Sequence, residues 1–307
     1  MEKQYLELCQ DVLDSGVNRT DRTGVGTRSV FGRQIRHDLS KGFPLLTSKQ
    51  TFFKPIAGEL LWFIEGSSDE RRLCEITFGT RDESRKTIWT PNALADYWTP
   101  KAKFPGDLGR VYGVQWRDWT RTEIVATKDN LSQDDGSHLY FDSTVRVTKH
   151  DQLAKIINTI KTNPADRRMI LTAFNVGELS EMALPPCHMF AQFHVNEETR
   201  KLNCQVYIRS NDLFLGLPFN MASYALLVHM IAQVTNLTPG ELIITIGDAH
   251  IYLNHIEQVK LQLSRSLFDL PTLHLNPEKT DIDSFTMSDF TLSGYNHHPA
   301  IKGDIAV

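Results

Sequence analysis

Residues Met182–Val195 read MALPPCHMFAQFHV and set one thiol, Cys187, directly after Pro185-Pro186 and directly before His188. Two consecutive prolines fix two φ angles and remove two backbone donors, and the residue ahead of a proline is pushed into an extended conformation. The thiol therefore follows a stiff, non-helical lead-in. Phe190–Val195 is short, apolar and aromatic and reads as a strand. The polar NEETRK that follows makes a hairpin loop, and Leu202–Ile208 makes the returning strand. With the turn centred on Glu198 and Thr199, Cys187 falls opposite Arg209 and Ser210. A cation beside a thiol favours the thiolate, which is the nucleophilic form. The competing reading of a free cysteine is a small buried hydrophobe.

Working outward, the chain has 307 residues, 41% of them hydrophobic and 23% charged, with a net charge of −4. That is ordinary for a globular protein with a large core. It provides no global basic field, so nucleic acid is not expected as the main partner. The four cysteines (Cys9, Cys74, Cys187 and Cys204) are widely spaced, without a C-x-x-C pair. This argues against a disulfide scaffold and against a thiolate zinc site, and no metal is expected. The first residues, MEKQYLELCQDVLDSG, have no uninterrupted apolar run or small-residue cleavage site. No uninterrupted apolar run reaches about 18 residues, so no membrane span is expected. A cytoplasmic location is the expectation.

Tyr5, Leu8, Cys9, Val12 and Leu13 recur at helical spacing, with Gly16 as a stop. DRTGVGT, Asp21–Thr27, is a glycine-bearing loop able to approach an anion, and it holds Arg22. No G-K-[ST] follows, so it is not a Walker loop. Ser29–Leu39 reads as a strand. Phe52–Gly66 reads as a strongly apolar helix interrupted by Glu59, and acids are rarely buried without a partner or a task. Arg167 and Arg168 stand together before the strand MILTAFNV; such pairs are usually solvated, but their planar donor forks also suit a phosphate. RSNDLFLGLPFN, Arg209–Asn220, feeds the apolar helix Met221–Val234. In GDAHIYLNH, His250 and Tyr252 alternate onto one face. Thr120–Lys149 is polar, with Asp-Asp-Gly at its middle, and reads as a surface excursion with a short hairpin. There is no internal repeat and no linker, so residues 1–307 read as one domain carrying that insertion.

Taken in order, DRTGVGT, ELLWF, GDLG-VYG-QWR, LPPCH, RS-N-DLFLGLPFN, GDAHIYLNH and the terminal IAV resemble the thymidylate synthase family over nearly the whole chain except about 120–149. The resemblance implies an α/β (α+β) fold: a large mixed β-sheet packed by helices, with two copies joined sheet to sheet as a homodimer. It implies a methyltransferase that converts dUMP to dTMP reductively, with 5,10-methylenetetrahydrofolate giving both the carbon and the hydride. The residues it implies as catalytic are Cys187 as nucleophile on C6 of the uracil ring, Glu59, Asn220, Tyr112, His188 and Asp212. Arg22, Arg209 and Ser210 resemble phosphate ligands, and Arg167 and Arg168 resemble the pair that reaches the phosphate in the partner's site. Asn220 resembles the amide that reads uracil N3–H and O4. His250 and Tyr252 resemble the clamp on the deoxyribose hydroxyl, with Asp212 on the pterin. Ile88, Trp89, Leu184, Gly216, Phe219 and the terminal Ala306 resemble the folate-contacting wall and its closing tip.

The sequence departs from the family pattern in places. Ile208 stands where a glutamine is usual, His194 replaces a common tyrosine, and Asn92 stands where some members carry an aromatic. A dUMP hydroxymethylase of the same fold, which quenches the methylene with water, is the alternative. A dCMP-specific form would carry an acid at Asn220. A Cys-His hydrolase is disfavoured because neighbouring strand residues point to opposite faces.

Overall fold

The computed structural model describes residues 1–20, 24–134 and 138–304, and side chains throughout these except 125–144. The helices are α1 (Glu2–Ser15), α2 (Phe53–Glu65), α3 (Glu70–Phe78), α4 (Thr90–Ala93), α5 (Tyr112–Arg117), α6 (Gln152–Thr162), α7 (Gly216–Val234) and α8 (Ile256–Leu263). The strands are β1 (Val17–Arg19), β2 (Thr27–Asp38), β3 (Trp119–Asp134), β4 (His138–His150), β5 (Ile170–Thr172), β6 (His188–Asn196), β7 (Lys201–Asp212), β8 (Thr238–Tyr252), β9 (Thr272–Leu275) and β10 (Phe290–Ser293).

Six strands form one sheet in the order β1-β2-β8-β7-β6-β5. Its pairs are antiparallel except β7 with β8, which run parallel, so the sheet is mixed. A parallel pair needs a crossover connection, and α7 supplies it. α7 is apolar nearly all round and its residues from Met221 to Val228 are buried, as a core helix requires. By length and mean hydropathy (1.2) this helix meets the requirement for crossing a membrane, although no uninterrupted apolar run marks it; 78% of that stretch is buried inside the fold.

α2 is the second core helix, burying Ile56, Ala57, Leu60, Leu61, Trp62, Phe63 and Ile64. Sealing a side chain such as Phe63 contributes roughly 1.5–3 kcal/mol. The helix ends at Gly66, which takes φ 72°, a left-handed conformation open to glycine. α5 lies against it because Gly113 has no side chain: a Cβ there would sit 2.4 Å from the Phe63 carbonyl oxygen.

The β6–β7 hairpin keeps the expected register. Asn196 faces Lys201 across the turn, and Asn196 Oδ1 accepts from Thr199 N. A bulge between His188 and Phe190 leaves His188 opposite Ile208. Cys187 then faces Arg209, whose backbone N–H donates to the Cys187 carbonyl at 2.9 Å. The insertion is more regular than a surface excursion with a short hairpin: β3 and β4 pair as a separate two-stranded sheet, Trp119 facing His150 and Asp134 facing His138, with a register shift between Ala126 and Leu131. The strand expected for MILTAFNV is only three residues long, because the segment departs into a 3-10 turn at Val176–Glu181.

Candidate active site

The lead-in to β6 is stiffened from both sides. Arg209 donates through Nε to the Pro186 carbonyl and through Nη2 to the Pro185 carbonyl, each at 2.9 Å, and the same Nη2 lies 3.7 Å from Cys187 Sγ. The hydroxyl of Tyr112, at the start of α5, accepts from Cys187 N at 2.7 Å. Burial raises the Cys187 thiol above its usual value, while Arg209 and then Tyr112 pull it back down. Arg209 thus acts on the sulfur in the direction expected, toward the thiolate, while loss of water around the sulfur acts the other way and outweighs it.

Glu59 lies on α2 between the buried Gly58 and Leu60. Trp89 Nε1 donates to its Oε1 at 2.7 Å. Burial pushes the Glu59 carboxyl up to about 7, against the pull of the indole N–H. The Trp89 ring meets Tyr112 edge-on with centroids 5.8 Å apart. Glu59, Trp89, Tyr112, Cys187 and Arg209 thus form one continuous chain of contacts, drawn from α2, the residue before α4, α5, the start of β6 and the end of β7.

His188 stands behind that chain. Its ring stacks on Tyr112 with centroids 4.1 Å apart, and its Nδ1 lies 2.8 Å from the Tyr224 hydroxyl. Burial drops its imidazole to about 3, so at neutral pH it is an uncharged ring packed against Tyr112. The adjacency of Cys187 and His188 in sequence is therefore not a dyad.

Asn220 is oriented by Asn211, whose Nδ2 donates to Asn220 Oδ1 at 3.3 Å. Gly216 packs against the other side of that amide; a Cβ there would come 3.1 Å from Asn211 Oδ1. Asp212 accepts from Phe214 N at 2.9 Å and Leu215 N at 3.3 Å, so it also shapes the turn into α7. Asp212 pairs in register with His250, and Ser210 with Asp248. His250 Nδ1 lies 3.1 Å from Asp248 Oδ1, and the His250 and Tyr252 rings meet edge-on at 5.3 Å. His250 and Tyr252 thus share a face, as the alternation required.

The structure does not bring every expected residue together. Arg167 and Arg168 lie exposed ahead of β5, Arg168 with 91% of its side chain in solvent. Ile88 is exposed as well, whereas Trp89 is buried and Leu184 and Phe219 are half-buried. Arg22 and Ala306 fall outside the described residues. Of the departures, Ile208 is fully buried opposite His188, His194 Nδ1 meets Asn203 Nδ2 at 3.3 Å, and Asn92 Nδ2 donates to the Tyr97 hydroxyl at 3.4 Å.

Sequence reasoning missed three supporting groups. Asn211 sits inside RSND, unremarked beside its charged neighbours. Asp248 holds His250 and is itself held by Arg19 at 3.0 Å. Lys49 is buried, donates to the Phe214 carbonyl and lies 3.5 Å from the centre of the Phe214 ring. Its burial lowers the ammonium to about 8, against the attraction of Asp212. A lone lysine in LLTSKQTFF carries no periodic signal that would reveal this.

A crevice of about 770 Å³ between α2 and residues 282–288 contains none of the site residues. Its arginines already face acids: Arg72 pairs with Glu65 and Glu75, and Arg117 with Asp151 and Asp283. Among the described residues, no cluster of histidines, cysteines and acids could hold a metal.

In this α/β fold a half-buried thiol on a proline-stiffened strand end, a guanidinium beside it and a carboxyl of high proton affinity stand together, the kinds of group that nucleophilic catalysis uses. The family profile described as thymidylate synthase matches residues 3–307, nearly the whole chain, and the chain belongs to that family. Its members are folate-dependent enzymes of the methyltransferase kind that act on dUMP.

Proposed function

We propose that this chain converts dUMP to dTMP reductively, with 5,10-methylenetetrahydrofolate as co-substrate giving both the carbon and the hydride and leaving as dihydrofolate. The observation that carries the reading is the continuous chain from Glu59 through Trp89 and Tyr112 to Cys187 and Arg209. A nucleophile and a proton-carrying acid lie at the two ends of a shared apolar wall, as an addition coupled to proton transfer requires.

In this reading, Cys187 Sγ adds to C6 of the uracil ring as a thiolate, and the electron pair moves to C5 and O4. A phosphate bound by Arg22, Arg209 and Ser210 places the base. Asn220, fixed by Asn211, offers an amide donor to O4 and an acceptor to N3–H. C5 would form its new bond to the folate methylene carbon as that carbon's bond to N10 breaks and N10 takes a proton. Loss of the C5 proton and cleavage of the bond to N5 would then leave an exocyclic methylene and free tetrahydrofolate, the hydride donor. Glu59, with a proton affinity near neutrality, passes protons through water. Hydride delivery to the exocyclic methylene and departure of the Cys187 sulfur complete the methyl group and restore the ring. His250 and Tyr252 hold the sugar, and Asp212 with Ile88, Trp89, Leu184, Gly216, Phe219 and Ala306 holds the folate. Burial of Trp89, only 6% exposed, supports a dry site that favours hydride over water.

We further read residues 1–307 as one domain, working as a sheet-to-sheet homodimer in the cytoplasm. Phe31 (76% exposed) and Phe190, the latter stacked on Tyr207, lie uncovered on the strands of the sheet. They support pairing with a second copy, which would let Arg167 and Arg168 reach its phosphate. All four cysteines are free, which supports a reducing compartment.

The test uses 5-fluoro-dUMP, whose C5 fluorine cannot leave as a proton. With methylenetetrahydrofolate present, the intact protein should gain the mass of both ligands, on the peptide that holds Cys187. No adduct, or an adduct that persists in Cys187→Ala, would overturn the reading.

A further inference from the structure

Trp89 is held at both ends. Its indole N–H lies on Glu59, and its backbone N–H donates to Thr87 Oγ1 at 3.2 Å. The hydroxyls of Thr87 and Thr90 both donate at 2.6 Å to Oε1 of Glu70. Thr90 Oγ1 in turn accepts from Thr87 N at 2.8 Å. Glu70, at the start of α3, has only 2% of its side chain exposed. Arg71 faces it with a two-pronged bond, Nε to Oε2 and Nη2 to Oε1, each at 2.6 Å. Nη1 of Arg71 reaches on to the carbonyls of Asp82 and Arg85.

A carboxylate this deeply buried persists only when its lone pairs are filled. Here four donors fill them, and charge-assisted bonds of this kind are the stronger class. Their combined effect is to fasten residues 82–90 onto α3. Turnover as proposed above uses none of Glu70, Arg71, Thr87 or Thr90, yet their network ends on the side chain that touches Glu59.

We propose that Glu70, acting through Thr87 and Thr90, is a positioning residue that holds the indole N–H of Trp89 on the Glu59 carboxylate. The inference rests on Glu59 carrying the proton in the reaction above. Trp89 is the group that donates to Glu59, and the titratable group facing it from the neighbouring α5 is the Tyr112 hydroxyl, which in turn contacts Cys187. Donation to the charged form favours that form. Freeing the indole therefore makes Glu59 hold its proton to higher pH and surrender it less readily during turnover.

The experiment uses the full chain labelled with 5-fluorotryptophan. Trp89 is assigned in the fluorine NMR spectrum with Trp89→Phe. Its signal should titrate with a midpoint near that of Glu59, about 7, and the titration should vanish in Glu59→Gln. The deciding variant is Thr87→Val with Thr90→Val, which leaves the Glu70–Arg71 pair intact. Expected are an upward shift of the midpoint, a fall of about tenfold in kcat for tritium release from C5 of dUMP, and an unchanged KM for dUMP. Serine at both positions should restore wild-type values. An unmoved midpoint with unmoved kcat would overturn the proposal. So would a loss of dUMP binding that matches the loss of rate, since that marks general loosening. If the wild-type chain releases no tritium, the proposed function fails, while the titration still decides whether Glu70 positions Trp89.

Discussion

Nη2 of Arg209 lies 3.7 Å from Sγ of Cys187 while bonding the carbonyl of Pro185, and Nε bonds that of Pro186. One guanidinium thus fixes the backbone ahead of the thiol and sets a positive charge beside it. The proline pair makes this possible, because its extended carbonyls have no helical donors to satisfy.

Arg209→Ala should therefore raise the Cys187 thiol further above its already raised value. Alkylation at pH 8 should slow by about tenfold, the equivalent of one pH unit in thiolate fraction. The measurement is the rate of iodoacetamide labelling of the Cys187 peptide. Cys9, Cys74 and Cys204 are buried and also raised, so they serve as internal references. An unchanged Cys187 rate would show that the charge does not act on the sulfur.

Glu59 should make stability pH-dependent. Its carboxyl is raised from an ordinary 4.5 to about 7 by burial, so the folded chain keeps a proton that the unfolded chain has released. The stability this contributes is fully present below about 4.5 and is lost as pH rises through about 7, at most roughly 3 kcal/mol in total. Glu59→Gln removes the loss. Urea unfolding should therefore favour the variant over the wild type more at pH 8 than at pH 5, by up to that amount. An equal gap at the two pH values would mean that Glu59 is not held protonated.

Asn220→Asp should weaken selectivity for dUMP over dCMP, because a protonated carboxyl can present the pattern that cytosine N3 and N4 require. Asn211→Leu should shift selectivity in the same direction but less, since it frees the Asn220 amide to turn over. Competition between the two nucleotides, read by mass, measures both. Unchanged selectivity in both variants would assign base reading elsewhere.

Much of this site was legible because its signals are local. A hairpin's register follows from its turn, so the sequence alone sets Cys187 opposite Arg209. An acid on an all-apolar helix drew attention to Glu59. What was not legible depends on long-range packing. The Trp89–Glu59 bond joins residues thirty apart, and the Glu70 network depends on where residues 82–90 fold back. The charge that Arg209 sets beside Cys187 can be read from sequence, whereas the burial that opposes it cannot. The β3–β4 ribbon was underestimated because its polar composition hid a regular pairing.

The dimer proposal has its own test. Arg168→Ala and Cys187→Ala homodimers should each be nearly inactive. Unfolded together and refolded, they should regain activity, because in a mixed dimer one of the two sites receives an intact Cys187 and an intact Arg168. No recovery from well-folded mixed dimers would place Arg168 outside the partner's site.

The most direct measurement is the product itself. The wild-type chain, incubated with dUMP and 5,10-methylenetetrahydrofolate, should yield dTMP by mass, with dihydrofolate appearing in equal amount by its absorbance. Hydroxymethyl-dUMP without dihydrofolate would reveal the hydroxymethylase, and recovery of unaltered dUMP would contradict the reaction altogether.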